Sequence, residues 1–349
     1  MGVKMKNVLF ISPSWMDIYK DVISELERQG YYVDYIPEEK FRNDARSRDK
    51  KAYLSKKKES EFEEFINSHW TTLLHDEKYD KTYDILFVID GQSFRPVVVD
   101  ILKKRNPDIR CVNYLFDTTS GVYEFDKNFD CFNKVFTFDI GESKKYGIEF
   151  LPIYWVPTAE VKEDIDLFGM GRYSKERYAL FKALRFISDK KNLTSLLKLH
   201  TYKINNLRLY KLKYAILQVF GIEHGPSPEA YLSEFNTHES ISPAEFRQLI
   251  SRSKCIVDTS APHQDGLTAR FMWALGCEKK IITTNKSVRD YSFYDPNQIF
   301  IVDDISDLGN SVSLTEFLTH KYVMNDEVRS EVLNYRIDNW VSTFFSCKR

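Results

Sequence analysis

Apolar residues in this chain fall into short dense runs separated by longer stretches in which they recur every three or four positions. Residues 7–12 (NVLFIS), 84–89 (DILFVI) and 110–116 (RCVNYLF) show no polar alternation, which is the pattern of strands buried on both faces. Strands are also expected at 31–36, 134–138 and 148–151. Helical spacing marks 16–29, closed by Gly30, together with 96–104 and 140–146. Strands alternating with helices predict a parallel sheet covered on both faces, with ligands lying beyond the carboxyl ends of its strands. Ser14, Asp90, Asp117 and Asp139 stand at that edge.

One stretch of the first half breaks the alternation. Residues 38–80 are dense in charge, with Tyr53, Phe62, Phe65, Ile66 and Leu73 at roughly helical spacing, and predict one or two long exposed helices. Residues 152–163, which include Pro157, have the composition of a linker. Beyond them a second series begins: a strand at 164–169, Met170-Gly171-Arg172, and a helix at 175–186. The run LRLYKLKYAILQVF at 207–220 fits a strand followed by a helix, or a single basic amphipathic helix; the first is preferred. Residues 224–240 resemble a loop. Ser242 and Pro243 then suit the N-cap and first position of a helix reaching 251. A strand at 299–302 follows, and a last helix spans 327–344, with Val328, Val332, Ile337, Trp340, Val341 and Phe344 available for one side.

The second half is organised around residues 255–285, CIVDTSAPHQDGLTARFMWALGCEKKIITTN. Strand 255–257 ends at Asp258, a loop with Ser260, Pro262 and Gly266 leads into a helix at 268–275, and a strand follows at 280–283. Backbone N–H groups converging on a helix N-terminus favour a phosphate or diphosphate there. Arg270, near the start of that helix, is a bidentate phosphate donor by type, and Arg172 at an earlier strand end is another. His263 lies in the same loop.

Composition narrows the class. The 349 residues suit two domains of ordinary size. Lys plus Arg number 50 against 51 Asp plus Glu, so no global field draws the chain to nucleic acid. Aromatic residues make up 15%, for which core packing is the default reading. The five cysteines, at 111, 131, 255, 277 and 347, show no CxxC spacing and read as reduced thiols of a cytosolic protein. No apolar stretch reaches the roughly 18 residues needed to cross a bilayer. Met5 is the expected natural start, and Lys6 interrupts any acylation signal after Met1-Gly2. No His, Cys, Asp and Glu cluster has metal-ligand spacing, and Asp303-Asp304 sits in a polar loop, so neither metal nor cofactor is expected. Asp117 and Asp90 are the general-base candidates.

Three segments together resemble the GT-B glycosyltransferases, and more narrowly bacterial lipopolysaccharide-core and capsular-polysaccharide transferases related to the spore-coat CgeB-type group. They are YLFDTTSG at 114–121, KVFTFDIGESKKYGIEFLPIYW at 134–155, and the stretch from Asp258 through Gln264, Gly266, Leu267 and Arg270 to Asn285. The resemblance implies an α/β chain of two facing Rossmann-like domains with parallel sheets and a C-terminal helix packing back across them. The expected divisions are an acceptor-side domain at 1–155 with a charged helical insert at about 38–80, a nucleotide-sugar domain at 156–325, and the C-terminal helix at 326–349. It also implies a metal-independent cytoplasmic enzyme that moves a sugar from a nucleotide-sugar to a surface-glycan or glycolipid acceptor, with a cleft that excludes water. Asp117 and Asp90 would be catalytic. Ser14, Arg172, His263, Gln264, Gly266, Leu267, Thr268, Arg270 and Asn285 would hold the donor. Where many such enzymes carry a ribose-binding glutamate, this chain has Trp273, whose polar group can only donate. Two other classes fit the same architecture, a nucleotide-binding subunit without activity and a sugar-nucleotide epimerase. The charged insert and the basic-aromatic run at 202–214 would give peripheral contact with the inner membrane.

Overall fold

The computed structural model describes residues 5–14, 17–38, 56–118, 125–222, 225–261 and 264–345. The chain divides into two compact units, Met1–Ile153 with Ile337–Arg349, and Tyr154–Arg336. Each is built on a parallel six-stranded sheet.

In the first unit β1 (Lys6–Ser12), α1 (Ile18–Arg28), β2 (Tyr31–Pro37), α2 (Lys56–Leu74), β3 (Ile85–Ile89), α3 (Pro96–Arg105), β4 (Arg110–Leu115), β5 (Lys134–Thr137), α4 (Ile140–Tyr146) and β6 (Glu149–Phe150) follow in order. The sheet order is β2-β1-β3-β4-β5-β6, so the winding direction reverses between β1 and β3. All five residues of β3 are buried, as its unbroken apolar run requires of a central strand. Helix α4 shows how local sequence sets an element's ends. Asp139 accepts the Glu142 N–H at 3.0 Å at its start, and Gly147 closes it at φ 65°, a left-handed conformation that glycine adopts without cost.

The charged stretch is more deeply engaged than its composition suggests. In α2, Ile66, Trp70 and Leu74 are buried at four-residue spacing, and the Trp70 indole donates to the Ser93 carbonyl at 2.8 Å. The expected exposed insert is thus a helix with one face in the core; Tyr53 lies outside the described residues. Apolar spacing outweighs charge density when the charges share the other face.

The second unit runs β7 (Ile165–Arg172), α5 (Lys175–Lys191), β8 (Ser195–His200), α6 (Leu207–Val219), α7 (Pro228–Leu232), β9 (Asn236–Thr237), α8 (Pro243–Ser251), β10 (Ser253–Asp258), α9 (Ala269–Gly276), β11 (Lys280–Thr283), β12 (Ile299–Ile301), α10 (Val312–Thr319) and α11 (Asp326–Leu333). Its sheet order is β12-β11-β10-β7-β8-β9. Residues 207–219, expected as a strand then a helix, form the single helix α6, capped by Asn206, which accepts the Leu209 N–H at 3.0 Å. The loop expected at 224–240 contains α7 and β9. The capping box of α8 forms as its sequence suggests, with Ser242 and Glu245 exchanging bonds.

The single terminal helix expected at 327–344 is two helices. Helix α11 belongs to the second unit, while α12 (Ile337–Phe345) belongs to the first. There Trp340 meets Tyr114 at 4.8 Å edge-on, and Phe344 meets Phe136 at 5.0 Å and Phe87 at 4.9 Å. The Trp340 indole donates to the Pro152 carbonyl at 3.1 Å. Much of the aromatic surplus is therefore core.

Candidate functional site

In the second sheet β8 lies on one side of β7 and β10 on the other, so the winding direction reverses between β7 and β10. Ligands of open α/β sheets bind outside the carboxyl ends of the strands at such a reversal. Here those ends carry Gly171 and Arg172 on β7 and Asp258 on β10.

Asp258 is fully buried. Its Oδ1 accepts from Thr268 Oγ1 at 2.7 Å and from Arg270 Nε at 3.1 Å, and among the described residues its Oδ2 has no partner. Thr268 also caps α9, accepting the Phe271 N–H at 3.2 Å. The rest of the Arg270 fork donates to the Met170 carbonyl at 2.8 Å and the Thr259 carbonyl at 3.3 Å. A second guanidinium stands beside it. Arg177 donates to Thr259 Oγ1 at 2.6 Å and to the Arg172 carbonyl. Burial, and then the neighbouring Arg270 cation, push Arg177 down to about 10. Gly171 makes the arrangement possible, since a Cβ there would lie 2.8 Å from Arg270 Nη1 and 3.0 Å from Arg177 Cζ. Two guanidiniums against one buried carboxylate leave a focus of positive charge at the reversal point, in surroundings that screen it poorly.

Next to this cluster is a cavity of about 520 Å³ whose lining includes Ser174, Thr259, Ser260, Gln264, Asn285 and Lys286. The arginines do not line it. They stand behind Thr259, which they both hold. The buried hydroxyl of Ser260 has no partner among the described residues, and hydroxyl-bearing ligands can use such a group. Asn285 is a staple, with its amide donating to the Asp265 and Gly266 carbonyls at 3.3 and 3.2 Å and its oxygen accepting the Ser287 N–H at 3.0 Å. Gln264 donates to the Gly266 carbonyl at 3.1 Å. The rim also carries Glu176, Asp265, Asp303 and Asp304. Asp303 is paired with Lys286 at 3.2 Å and Arg289 at 3.4 Å, and Asp304 accepts the Ser306 N–H at 2.8 Å.

The residues singled out in the sequence thus separate. Arg270, Thr268, Gln264 and Asn285 converge at the β10 edge, with Gly266 and Leu267 buried beneath. Arg172 is exposed and bonded to Tyr202 Oη at 3.1 Å. His263 lies outside the described residues. Trp273 is core, 1% exposed, with the Phe246 ring 6.0 Å away and the Arg247 guanidinium 5.2 Å over its face. Arg177 and Ser174 went unnoticed. The available signal was a cation in the first turn of α5, where the helix dipole disfavours one.

Ser14, Asp90 and Asp117 belong to the first unit. Ser14 is exposed at the end of β1. Asp90 is buried at φ 62° and its Oδ1 accepts the Phe116 and Asp117 N–H groups at 2.7 and 3.1 Å. Burial, then the nearby Asp117 and Glu38 charges, hold its carboxyl well above the usual range. Glu38, also buried, accepts the Gly91 N–H at 3.2 Å and the Ser93 N–H. Asp117 is the exposed carboxylate of this edge, and Asp139 is spent on capping α4. Among the described residues no group of three His, Cys, Asp or Glu side chains is placed to hold a metal ion.

With this geometry the chain is an α/β protein of the GT-B type, two parallel six-stranded Rossmann-like sheets with flanking helices. Solved structures share its fold over nearly its whole length. The N-terminal domain of trehalose-6-phosphate phosphatase from Candida albicans superposes with a TM-score of 0.55 at 13% identity, covering 99% of this chain and 97% of that one. OtsA in its apo structure gives 0.58 at 11%, covering 97% and 98%. UDP-GlcNAc 2-epimerase from Neisseria meningitidis, bound to UDP-GlcNAc, gives 0.52 at 11%, covering 97% and 98%. No protein-family model matches the chain, and no curated protein sequence matches it.

Proposed function

We propose that the protein is a glycosyltransferase that takes a sugar from a nucleotide-sugar to a hydroxyl of a surface-glycan precursor. The observation that carries this reading is the second unit's reversal point, where a half-buried, net-positive arginine pair backs a cavity lined by hydroxyl and amide side chains, with the Ser260 hydroxyl lacking a partner among the described residues. Hydroxyls of a nucleoside or sugar suit the cavity, and the arginine pair behind Thr259, not the rim with its four carboxylates, supplies the positive charge that suits the diphosphate that leaves. The epimerase bound to UDP-GlcNAc supports the reading, as a chain of this fold that accommodates a nucleotide-sugar. The acceptor class comes from the sequence resemblance to lipopolysaccharide-core and capsule transferases.

In the reaction an acceptor O–H gives its proton to a carboxylate while its oxygen bonds to the anomeric carbon. The anomeric bond to the diphosphate breaks, and the nucleoside diphosphate departs with the electron pair. Asp117 is the proposed base, because it is the exposed carboxylate at the first sheet's carboxyl edge, whereas Asp90 is sealed by its own hydrogen bonds.

The test is donor turnover by the purified chain with and without glycan acceptors, after a thermal-shift screen for nucleotide binding. Nucleoside diphosphate released only with acceptor supports transfer; interconversion of the donor sugar alone establishes the epimerase reading; binding without turnover leaves a nucleotide-binding subunit. Asp117→Asn is expected to cut turnover by roughly 100-fold with nucleotide affinity unchanged. Full retention would remove Asp117 as the base.

A further inference from the structure

Helix α6 has no buried residue along its 13 positions. One side rests on the second unit through Leu207, Tyr210, Tyr214 and Leu217, which are half-buried. Tyr210 donates its hydroxyl to the Pro226 carbonyl at 2.6 Å, and its ring lies 6.4 Å from that of Tyr231. The opposite side is apolar and open: Leu209 is 63% exposed, Leu212 60%, Ile216 50%, Val219 83%, and Phe220 just beyond the helix 72%. At 3.6 residues per turn these five fall within an arc of about 100°. An apolar stripe of this width is ordinarily turned to a core. Here it is turned away from one.

The charged residues of α6 itself are all of one sign. Residues 201–222 contain Lys203, Arg208, Lys211 and Lys213 and no Asp or Glu, in a chain whose formal charge is −1. Lys213 borders the stripe on one side and Arg208 on the other, and among the described residues none of the four cations has an ion-pair partner. Apolar side chains outward with cations along the flanks make up the composition of a helix that lies in a membrane interface, its stripe at the headgroup boundary and its lysine and arginine stems reaching to lipid phosphates. No helix among the described residues is long and apolar enough to cross a membrane, so this would be contact from one side.

We propose that the outward face of α6 docks the protein on an anionic lipid surface. The proposal stands on this helix alone, whatever the cavity at the β10 edge binds. The full chain is to be floated with vesicles of phosphatidylcholine, and with vesicles in which about a third of the lipid is phosphatidylglycerol, at low and high salt. Binding is expected to the anionic vesicles only and to weaken with salt. The paired substitution Leu212→Ser with Ile216→Ser changes exposed positions, so its thermal transition should match the parent's while vesicle affinity falls by at least about tenfold. Arg208→Gln with Lys213→Gln, which removes the two flanking cations, should lower affinity by about fivefold for each charge. In Ile216→Trp, indole emission should shift to the blue on adding the anionic vesicles. The proposal is overturned if the parent stays in the soluble fraction, if the paired serine variant floats as well as the parent, or if the indole emission of Ile216→Trp does not move. Self-association abolished by the serine pair, without vesicle binding, would instead make this face an interface between copies and equally overturn it.

Discussion

Asp258 ties together the carboxyl edge of the second sheet, because one buried carboxylate orients both the Thr268 cap and the Arg270 fork. Arg270→Ala is therefore expected to act twice. It strands a buried charge, costing about 3 kcal/mol of stability, which urea unfolding reads. It also removes a cation from behind the cavity, a through-space effect, so nucleotide binding should weaken by on the order of 1 kcal/mol while a nucleoside without phosphates binds parent and variant alike. Equal nucleotide affinities by calorimetric titration would take Arg270 out of the site. Asp90 supplies a pH signature for the first unit. Its folded carboxyl titrates well above an exposed one, so the stability it contributes is fully present below its unfolded pKa and is lost as pH rises through the folded value. Asn at this position keeps the oxygen that accepts from Phe116 and Asp117 but cannot ionise. The advantage of Asp90→Asn over the parent in urea midpoint should widen from about pH 4 to about pH 8, and parallel profiles would refute the assignment.

At the level of elements, the segment that follows the second unit returns to complete the first. Helix α12 buries Trp340, Val341 and Phe344 among the rings of Phe87, Tyr114 and Phe136. Phe344→Ala should cost about 3–5 kcal/mol, because the surrounding rings cannot collapse fully into the space. Denaturant unfolding followed by near-ultraviolet circular dichroism measures it, and a cost below about 1 kcal/mol would mean the helix is not part of that core. Helix α6 is the opposite case, a helix whose second apolar side has no place in the unit that carries it. The sequence left a strand followed by a helix and a single basic amphipathic helix both open here, and the structure shows the single helix.

Across the molecule, the alternation of buried strands and amphipathic helices determined two parallel α/β sheets. Local signals determined many element ends, among them the Asp139 cap, Gly147 and the Ser242–Glu245 box. These were legible because each depends on residues a few positions apart. The strand–loop–helix order of the β10–α9 stretch was legible for the same reason, whereas the packing made Thr268, expected to hold the donor, the cap of α9 and put Trp273, expected at the ribose-binding position, in the core. Tertiary structure alone decided what depends on distant partners. Arg177 reaches Thr259 across 82 positions, and Gly171 matters only because two guanidiniums from α5 and α9 meet above it. The burial of Asp90, the engagement of α2 and the division of the terminal helix between units are of the same kind. Sequence periodicity says that a helix has an apolar face, but which neighbour covers that face, and whether any does, is set by the packing of the whole chain.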